Sequence, residues 1–363
     1  MRRLPTLTRP TELVRITFTM AIWIGLHLYA ARPLLTAAAA GGIAPTITWS
    51  CVLLLPFITA LPMLSRRRMA QTIGYGVMSI LTMLLLIVFC SDLVRIVLPS
   101  RVPALHGLPT LGLAAMLALI GFLQARRPRV VSIDIPSDLD GYRIVQWSDV
   151  HIGPTIQRRF VESLVRRTNA LNADAIVITG DLVDGHLEDL RDAIAPLADL
   201  RARDGVFVVT GNHEYYWRAS EWVKEFARLG MIFLKNEHRV VRDGLVIAGV
   251  TDPAGRYTHK SNLNAALDGA PRDAFRVLLA HRPQVASAAS RNGVDLQLSG
   301  HTHGGQFFPF NLLIRWFQPV VAGLHRVGET LLYVSRGTGY WGPPSRLGVG
   351  GEITLITLGN SGY

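Results

Sequence analysis

The chain has little cysteine, no lysine in its first third and no low-complexity tail. Cys51 and Cys90 are the only cysteines among 363 residues, and both fall within apolar stretches. The sequence therefore has no disulfide framework, and its cysteine usage says little about the compartment of the protein. We also find no internal repeat.

The formal net charge of +11 is confined to the first third of the sequence. Of 37 basic and 26 acidic residues, 13 arginines and only two acids fall within residues 1–130. The remainder carries 24 residues of each sign and is neutral. The basic excess flanks apolar segments, so it indicates membrane orientation rather than nucleic-acid binding, and we predict no nucleic-acid partner.

Residues 16–123 form an almost continuous apolar block, in a chain that is 49% hydrophobic. A bilayer-spanning helix needs about 20 residues, so we predict about four spans. They cover residues 14–31, 46–64, 72–98 and 107–124. The first is the weakest, because it contains His27 and ends early at Arg32-Pro33. A cleaved signal peptide is the alternative for that segment, but no small-residue cleavage site follows it cleanly. We predict a membrane domain over residues 1–129 and a catalytic domain over residues 130–363.

The arginines around these spans are distributed unequally between the two sides of the membrane. Four spans place the segment before the first span, the loop at 66–68 and the segment after the fourth span on one side. That side has ten arginines and the other has three. The positive-inside rule then predicts a cytoplasmic catalytic domain. If the first span does not cross, the count becomes odd and this prediction weakens.

The second domain alternates between strand-like and helix-like segments, which predicts a mainly parallel sheet. Predicted strands cover 130–135, 143–147, 175–179 and 206–210, and predicted helices cover 157–171, 187–200 and 219–229. Shorter strands follow and are expected to form a second sheet, with a helix near 283–290. Those strands cover 232–234, 239–241, 245–250, 276–280, 295–298, 331–334 and 352–358. The predicted fold class is α/β, with two packed β-sheets flanked by helices and preceded by an all-α membrane region.

Five short polar motifs lie in order along this domain, several of them directly after an apolar run. They are Asp149-Val150-His151, Gly180-Asp181-Leu182-Val183-Asp184, Gly211-Asn212-His213-Glu214, the single His281, and Gly300-His301-Thr302-His303. Loops that leave the carboxyl ends of parallel strands form the sites of α/β proteins. An isolated Asp at such a position is more often a helix or turn cap. Five motifs in this order instead indicate nitrogen and oxygen ligands that converge on two divalent cations.

Taken together, the motifs resemble those of the calcineurin-like metallophosphoesterase superfamily over most of residues 140–358. The resemblance implies an α/β/β/α sandwich that hydrolyses a P–O bond with two divalent metal ions, which are Mn, Fe or Zn. It also implies that a hydroxide held by the metals is the nucleophile. The implied ligands are Asp149, His151, Asp181 and His303 for one metal and Asp181, Asn212, His281 and His301 for the other, with Asp181 as the bridging carboxylate.

The resemblance places His213 over the phosphate without binding metal. Imidazole chemistry suits either protonation of the leaving oxygen or stabilisation of charge on the phosphoryl group, and we assign His213 the general-acid role. Asp184 and Glu214 are expected to orient His or Asn side chains from behind the ligands, although a turn cap is an equal alternative for Asp184. Arg346, in the glycine-rich stretch 337–351, is a candidate phosphate clamp.

Two aromatic segments allow more than one interpretation. Residues 307–317 contain an unusual number of large apolar side chains. They either pack into the core or, if exposed, dock on the bilayer or guide acyl chains toward the metals. Tyr215-Tyr216-Trp217 is either a pocket wall for a base or sugar or ordinary packing.

These observations favour a membrane-anchored phosphoesterase acting on a phosphate ester. The layout resembles the bacterial membrane-anchored branch of the family, which implies the inner membrane as its location. That branch includes relatives acting on lipid-linked or nucleotide-linked phosphodiesters such as UDP-diacylglucosamine. A lipid-linked or pyrophosphate-containing substrate is therefore one option, and a tethered phosphodiesterase for soluble nucleotides is another. A non-catalytic metal or ligand sensor is the third hypothesis, and Asp92 and Arg95 within the apolar block keep a transport or sensing role open.

Overall fold

The computed structural model describes residues 10–41, 44–99, 105–242, 244–256 and 259–359. Packing divides the chain into two units, Met1–Ile120 and Gly121–Tyr363. The predicted boundary after residue 129 would instead place all of the fourth helix in the membrane domain.

Four long helices come first along the described chain. They are α1 (Pro10–Ala39), α2 (Pro45–Leu64), α3 (Arg68–Val97) and α4 (Gly107–Ala125). Each contains a stretch long and apolar enough to cross a bilayer. Within the described residues this agrees with the predicted number of spans.

The first helix is longer than predicted. We expected it to end at 31 because Arg32-Pro33 follows, but α1 continues to Ala39. The guanidinium of Arg32 donates to Asp92 Oδ1 at 2.7 Å, and the hydroxyl of Tyr29 donates to Asp92 Oδ2 at 2.6 Å. The charge of Arg32 is thus paired with Asp92 on α3, and membrane helices tolerate an internal proline such as Pro33.

The second unit contains two six-stranded sheets and seven short helices in its described part. The strands are β1 (Arg129–Pro136), β2 (Tyr142–Trp147), β3 (Ala175–Thr179), β4 (Val206–Val209), β5 (Ile232–Phe233), β6 (Glu237–Arg242), β7 (Leu245–Gly249), β8 (Phe275–Leu279), β9 (Leu296–Ser299), β10 (Gly323–Val327), β11 (Thr330–Val334) and β12 (Glu352–Gly359). The helices are α5 (Arg158–Asn169), α6 (Leu187–Ile194), α7 (Asn212–Tyr216), α8 (Ala219–Arg228), α9 (Leu263–Leu267), α10 (Ala286–Arg291) and α11 (Phe310–Leu313). The first sheet has the order β1-β12-β2-β3-β4-β5 and the second β10-β11-β9-β8-β7-β6.

The prediction that every strand after residue 230 joins the second sheet was wrong for two strands. β5 pairs in parallel with β4, and β12 lies between β1 and β2, parallel to the first and antiparallel to the second. Alternating apolar residues predict a strand and its buried face, but they do not identify its neighbour. Four elements were missed altogether: β10, whose middle residues are exposed, and the short helices α7, α9 and α11.

The central strands β2, β3 and β4 of the first sheet are buried on both faces, as expected for parallel strands. In β3, Ile176 and Ile178 pack against the helices. Ala175 and Val177 face the core between the sheets, which includes Ile247 from β7. The predicted fold class of two packed sheets flanked by helices is confirmed.

Candidate metal centre

Loops after five strands bring the seven predicted ligands together. Asp149 and His151 follow β2, Asp181 follows β3, Asn212 follows β4, His281 follows β8, and His301 and His303 follow β9. The first three strands belong to one sheet and the other two to the second sheet. The centre therefore lies where the carboxyl ends of strands from both sheets meet.

Five of the seven residues adopt a left-handed backbone conformation. Their φ angles are 52° for Asp149, 52° for His151, 51° for Asp181, 72° for His301 and 52° for His303. This conformation is uncommon for residues other than glycine, and it concentrates at functional sites, where the surrounding structure imposes it. Hydrogen bonds between the loops hold it here. The amide of His151 donates to the carbonyl of Asp181 at 3.0 Å, and that of Asp149 to Gly180 at 3.1 Å.

Asp149, His151 and His303 form one group whose ligand atoms lie within 4.8 Å of one another. Nε2 of His151 lies 3.0 Å from Nε2 of His303, which in turn lies 3.4 Å from Oδ1 of Asp149. Two ring nitrogens directed at each other beside a carboxylate form a donor set that suits a divalent cation.

Asp181, His281 and His301 form a second such group. Nδ1 of His281 lies 2.8 Å from the carbonyl oxygen of Thr179. That contact leaves Nε2 of His281 directed at the other two residues, 3.2 Å from Oδ2 of Asp181 and 3.2 Å from Nδ1 of His301. A carbonyl behind the ring is the usual way to fix the orientation of a metal-binding histidine.

Asp181 lies between the two groups. Its Oδ2 is 3.2 Å from Nε2 of His281 and 3.9 Å from Nε2 of His151, while Oδ1 accepts the amide of His213 at 2.8 Å. Gly211 permits this approach, because a Cβ there would collide with the Asp181 carboxylate. The position is that of a carboxylate shared by two ligand sets.

Asn212 gives an independent test of whether the residues fit a metal. Its Oδ1 is buried and has no hydrogen-bond partner among the residues that the structure describes, although its Nδ2 donates to the Tyr216 hydroxyl at 3.3 Å. An orphaned buried acceptor costs about 1–3 kcal/mol, and an amide oxygen is a ligand for hard cations. Nδ1 of His151 is likewise buried without a partner. The donor set fits divalent metal.

The electrostatics of the centre favour an ionised carboxylate and mostly neutral imidazoles. Burial opposes ionisation of Asp181, yet attraction to His281 and His151 outweighs it and holds the pKa of Asp181 well below its usual range. Burial, together with repulsion between the rings, lowers the pKa of His151 to about 3 and that of His301 to about 4. For His281 burial also acts downward, but the charge of Asp181 raises its pKa to about 10. A divalent cation bound at the same carboxylate would displace that proton from His281.

His213 and Asp184 form a pair beside the ligands. Nδ1 of His213 lies 3.0 Å from Oδ1 of Asp184, which also accepts the indole N–H of Trp217 at 2.7 Å. Burial acts to lower the pKa of His213, but the hydrogen bond to Asp184 and the charges of Asp181, Asp184 and Glu214 together outweigh it, and the pKa is raised. Asp184 therefore orients the ring of His213 and favours its protonated form.

Glu214 supports backbone rather than ligand side chains. Its carboxylate accepts four amide N–H groups at 2.7–3.2 Å, those of Asp181, Leu182, Val183 and Gly211. Burial and the charge of Asp181 raise the pKa of Glu214 to about 7. One side chain thus joins the loop after β3 to the loop after β4.

Arg346 is buried and its donors are used within the protein. It donates to the carbonyl oxygens of His303 at 2.8 Å, Arg336 at 2.6 Å and Gly339 at 2.8 Å. Burial lowers its pKa to about 10. These contacts suit a residue that supports the His303 loop better than one that binds a substrate phosphate.

Arg282 is a basic residue that the sequence analysis overlooked. Its Nε and Nη2 donate to the buried carboxylate of Asp252 at 2.8 and 3.2 Å, and about a third of its side chain is exposed. Arg282 directly follows His281, one of the predicted ligands, and this adjacency in the sequence is the signal that could have identified it. A guanidinium fixed on one edge by a carboxylate is preorganised to bind an anion with its remaining donors.

Two exposed aromatic rings lie against His213. The ring of Tyr216 is 5.0 Å and that of Trp341 is 5.8 Å from the imidazole, both edge to face. Tyr215 instead packs inward, with its hydroxyl 3.1 Å from Oγ1 of Thr210. Of the three residues 215–217 predicted as a pocket wall, only Tyr216 is exposed beside His213. The sequence analysis missed Trp341, which lies in a glycine-rich stretch.

The apolar segment 307–317 is mostly exposed. Phe307 is buried, but six other large side chains are open to solvent: Phe308, Phe310, Leu312, Leu313, Trp316 and Phe317. The core-packing interpretation is wrong for these six residues.

Comparison of the sequence with known proteins identifies the family of this chain. A family model for calcineurin-like phosphoesterases matches residues 142–305. A transmembrane protein with metallophosphoesterase domain from Danio rerio is 38% identical over 266 residues, which cover 68% of this chain and 61% of that protein. The protein of the same description from Bos taurus is 41% identical over 266 residues, covering 67% of this chain and 60% of the relative. An uncharacterized metallophosphoesterase from Helicobacter pylori (strain J99) is 36% identical over 273 residues, covering 72% and 73%.

The chain thus spans about three fifths of the length of the two vertebrate relatives. The match to the bacterial relative covers nearly three quarters of both chains. On this similarity, the chain belongs to the calcineurin-like phosphoesterase family.

Proposed function

We propose that the protein is a membrane-anchored phosphoesterase that hydrolyses a P–O bond by direct attack of water, with two divalent metal ions of Mn, Fe or Zn. The observation that carries this proposal is the convergence of two ligand groups on Asp181, with His213 beside them. Asp149, His151, Asp181 and His303 would hold one ion, and Asp181, Asn212, His281 and His301 the other. When bound, such ions supply Lewis-acid activation of water and neutralise phosphate charge.

His213 is the residue that we propose to donate a proton to the leaving oxygen. Its ring is oriented by Asp184 at 3.0 Å and is partly exposed. The raised pKa of His213 keeps the proton available near neutral pH. The chain retains every ligand and this pair, which argues against a non-catalytic sensor.

For the substrate we propose a phosphodiester or pyrophosphate carried by a lipid. Arg282 offers a guanidinium next to the predicted ligand His281, and the exposed apolar side chains begin at Phe308, five residues after the predicted ligand His303. A tethered phosphodiesterase for soluble nucleotides is the second candidate, favoured by the exposed rings of Tyr216 and Trp341, on which a base could stack.

We further propose an inner-membrane location with the second unit in the cytoplasm, based on the ten-to-three arginine asymmetry in the sequence. In bacterial cells, a cysteine placed at the exposed Val240 should resist a membrane-impermeant maleimide until the cells are lysed. Labelling in intact cells at the rate seen after lysis would reverse the proposed orientation.

The test of the activity is metal-dependent hydrolysis of bis-p-nitrophenyl phosphate by the purified full chain. We expect turnover to disappear after EDTA treatment and to return when Mn²⁺ is added, because none of the protein groups alone activates water strongly. Metal content by mass spectrometry should rise to about two ions per chain over the same titration. Hydrolysis that is unaffected by EDTA in a protein stripped of metal would contradict the proposal.

A further inference from the structure

Six exposed side chains define a surface, which we call the apolar surface: Phe308, Phe310, Leu312, Leu313, Trp316 and Phe317. They lie within ten consecutive residues, and Trp316 and Phe317 are 80% and 77% exposed. Soluble proteins rarely expose so much apolar area together, and such a patch marks an interaction site.

The apolar surface begins next to the end of α4. The amide of Phe308 donates to the carbonyl of Leu347 at 2.9 Å, and the amide of Arg346 donates to the carbonyl of Gly121 at 2.9 Å. The amide of Gly348 donates to Oε1 of Gln124 at 3.0 Å. The absence of a side chain at Gly121 allows this contact, because a Cβ there would collide with Oγ of Ser345.

The end of α4 has a fixed depth relative to a membrane. The helix has 19 residues, and at 1.5 Å per residue these span about 28 Å, nearly the whole thickness of a hydrocarbon core of about 30 Å. Arg126, Arg127 and Arg129 follow at once and belong at the headgroups. Residues 121–125 therefore lie at the hydrocarbon edge, and the segment joined to them lies at the same level.

The composition of the segment suits a lipid interface. Trp316 is the residue type enriched at headgroup level, and Arg315 beside it can extend its charge to anionic headgroups. Residues 306–327 contain no acidic residue. Because the apolar surface lies next to the end of a membrane-spanning helix, we infer that it contacts the bilayer.

The apolar surface is also connected to the catalytic histidine. Gln306, two residues before Phe308, donates from Nε2 to the carbonyl of Trp341 at 2.7 Å and accepts the Trp341 amide at 2.9 Å. The ring of Trp341 lies 5.8 Å from that of His213.

We propose that the apolar surface is a bilayer-docking surface that seats the second unit on the lipid interface and keeps the exposed rings of Tyr216 and Trp341 beside His213 at headgroup level. The docking itself is independent of catalysis. Its consequence, that the enzyme takes phosphate esters from the membrane plane, rests on the proposed function.

Nitroxide depth measurements on the full chain in nanodiscs of phosphatidylethanolamine and phosphatidylglycerol test the docking. In a background with Cys51→Ala and Cys90→Ala, single labels are placed by Phe317→Cys and Trp316→Cys. The matched control is Val240→Cys, an exposed apolar position on β6, the edge strand farthest from β10 in the second sheet. Docking predicts that the ratio of oxygen to water-soluble nickel-chelate accessibility is on the order of tenfold higher at 316 and 317 than at 240. Equal ratios at all three positions would overturn the proposal.

A double variant, Trp316→Ser with Phe317→Ser, separates docking from catalysis. We expect its hydrolysis of soluble bis-p-nitrophenyl phosphate to stay within about twofold of the parent, because neither residue touches the ligands. A loss of more than about tenfold with metal content unchanged would place the segment in the catalytic machinery and contradict a docking role. If the parent shows no hydrolysis, the proposed function fails while the depth measurement still decides the docking.

Discussion

Replacing Asp181 with asparagine is expected to lower kcat for bis-p-nitrophenyl phosphate by about a thousandfold or more. Asp181 is buried, and its Oδ2 lies within 3.9 Å of histidines from both ligand groups. Asparagine keeps the size of the side chain but removes the negative charge that two neighbouring cations would share. Metal content measured by mass spectrometry should fall from about two ions to one or none.

The matched control for this change is Asp295→Asn. Asp295 precedes β9, at the opposite end of that strand from the ligands, and its Oδ2 accepts the amide of Arg276 at 2.7 Å. An asparagine oxygen can still accept that bond, so turnover and metal content should stay close to the parent values. Unchanged turnover and metal content in the Asp181 variant itself would disprove the assignment of the centre.

Replacing His213 with alanine is expected to lower kcat by about a hundredfold to ten-thousandfold while leaving the metal content unchanged. The imidazole stands outside both proposed ligand sets, and its partner is Asp184. A general acid matters most when the leaving group is a poor one. The loss should therefore be larger for a phenyl phosphodiester than for bis-p-nitrophenyl phosphate, whose nitrophenolate leaves without a proton.

His238→Ala provides the control for the loss of an imidazole. His238 lies on β6, with Nδ1 3.1 Å from the carbonyl oxygen of Ala266, and its removal should leave both substrates unaffected. An equal loss on both substrates in the His213 variant would favour charge stabilisation over proton donation. Loss of metal would instead make His213 a ligand.

The sequence predicts that the seven ligands meet, because each of the five motifs follows a strand and strand ends converge, and their role as metal ligands stays a prediction. Within the described residues, three groups of side chains could hold a metal ion. Asp149, His151 and His303 belong to one of the sets implied by the resemblance and Asp181, His281 and His301 to the other, while the third group joins His151 to Asp184 and His213.

Features that depend on three-dimensional neighbours could not be predicted. Glu214 was expected to orient His or Asn side chains. Its carboxylate instead accepts four amide N–H groups, which belong to two loops that only the fold brings together. Arg346 was a candidate phosphate clamp because of the geometry of its guanidinium, yet this group is buried and donates to backbone carbonyl groups. Asp and His are enriched among non-glycine residues with left-handed φ, but the residue type does not show which of them, such as Asp149, adopt it. β12 was placed in the wrong sheet because its pairing is set by β1 and β2, more than 200 residues earlier in the chain.

The position of β12 also sets the order in which the domain can be completed during synthesis. β1 begins four residues after α4, and its partner in the first sheet is β12, which the ribosome delivers after every ligand loop. Until then β1 and β2 have no strand between them and present open edges, which are prone to wrong pairing. In the nascent protein β1 therefore stays unpaired, next to the membrane helix, while the ligand loops are synthesised. The first sheet is complete only when β12 is inserted between β1 and β2.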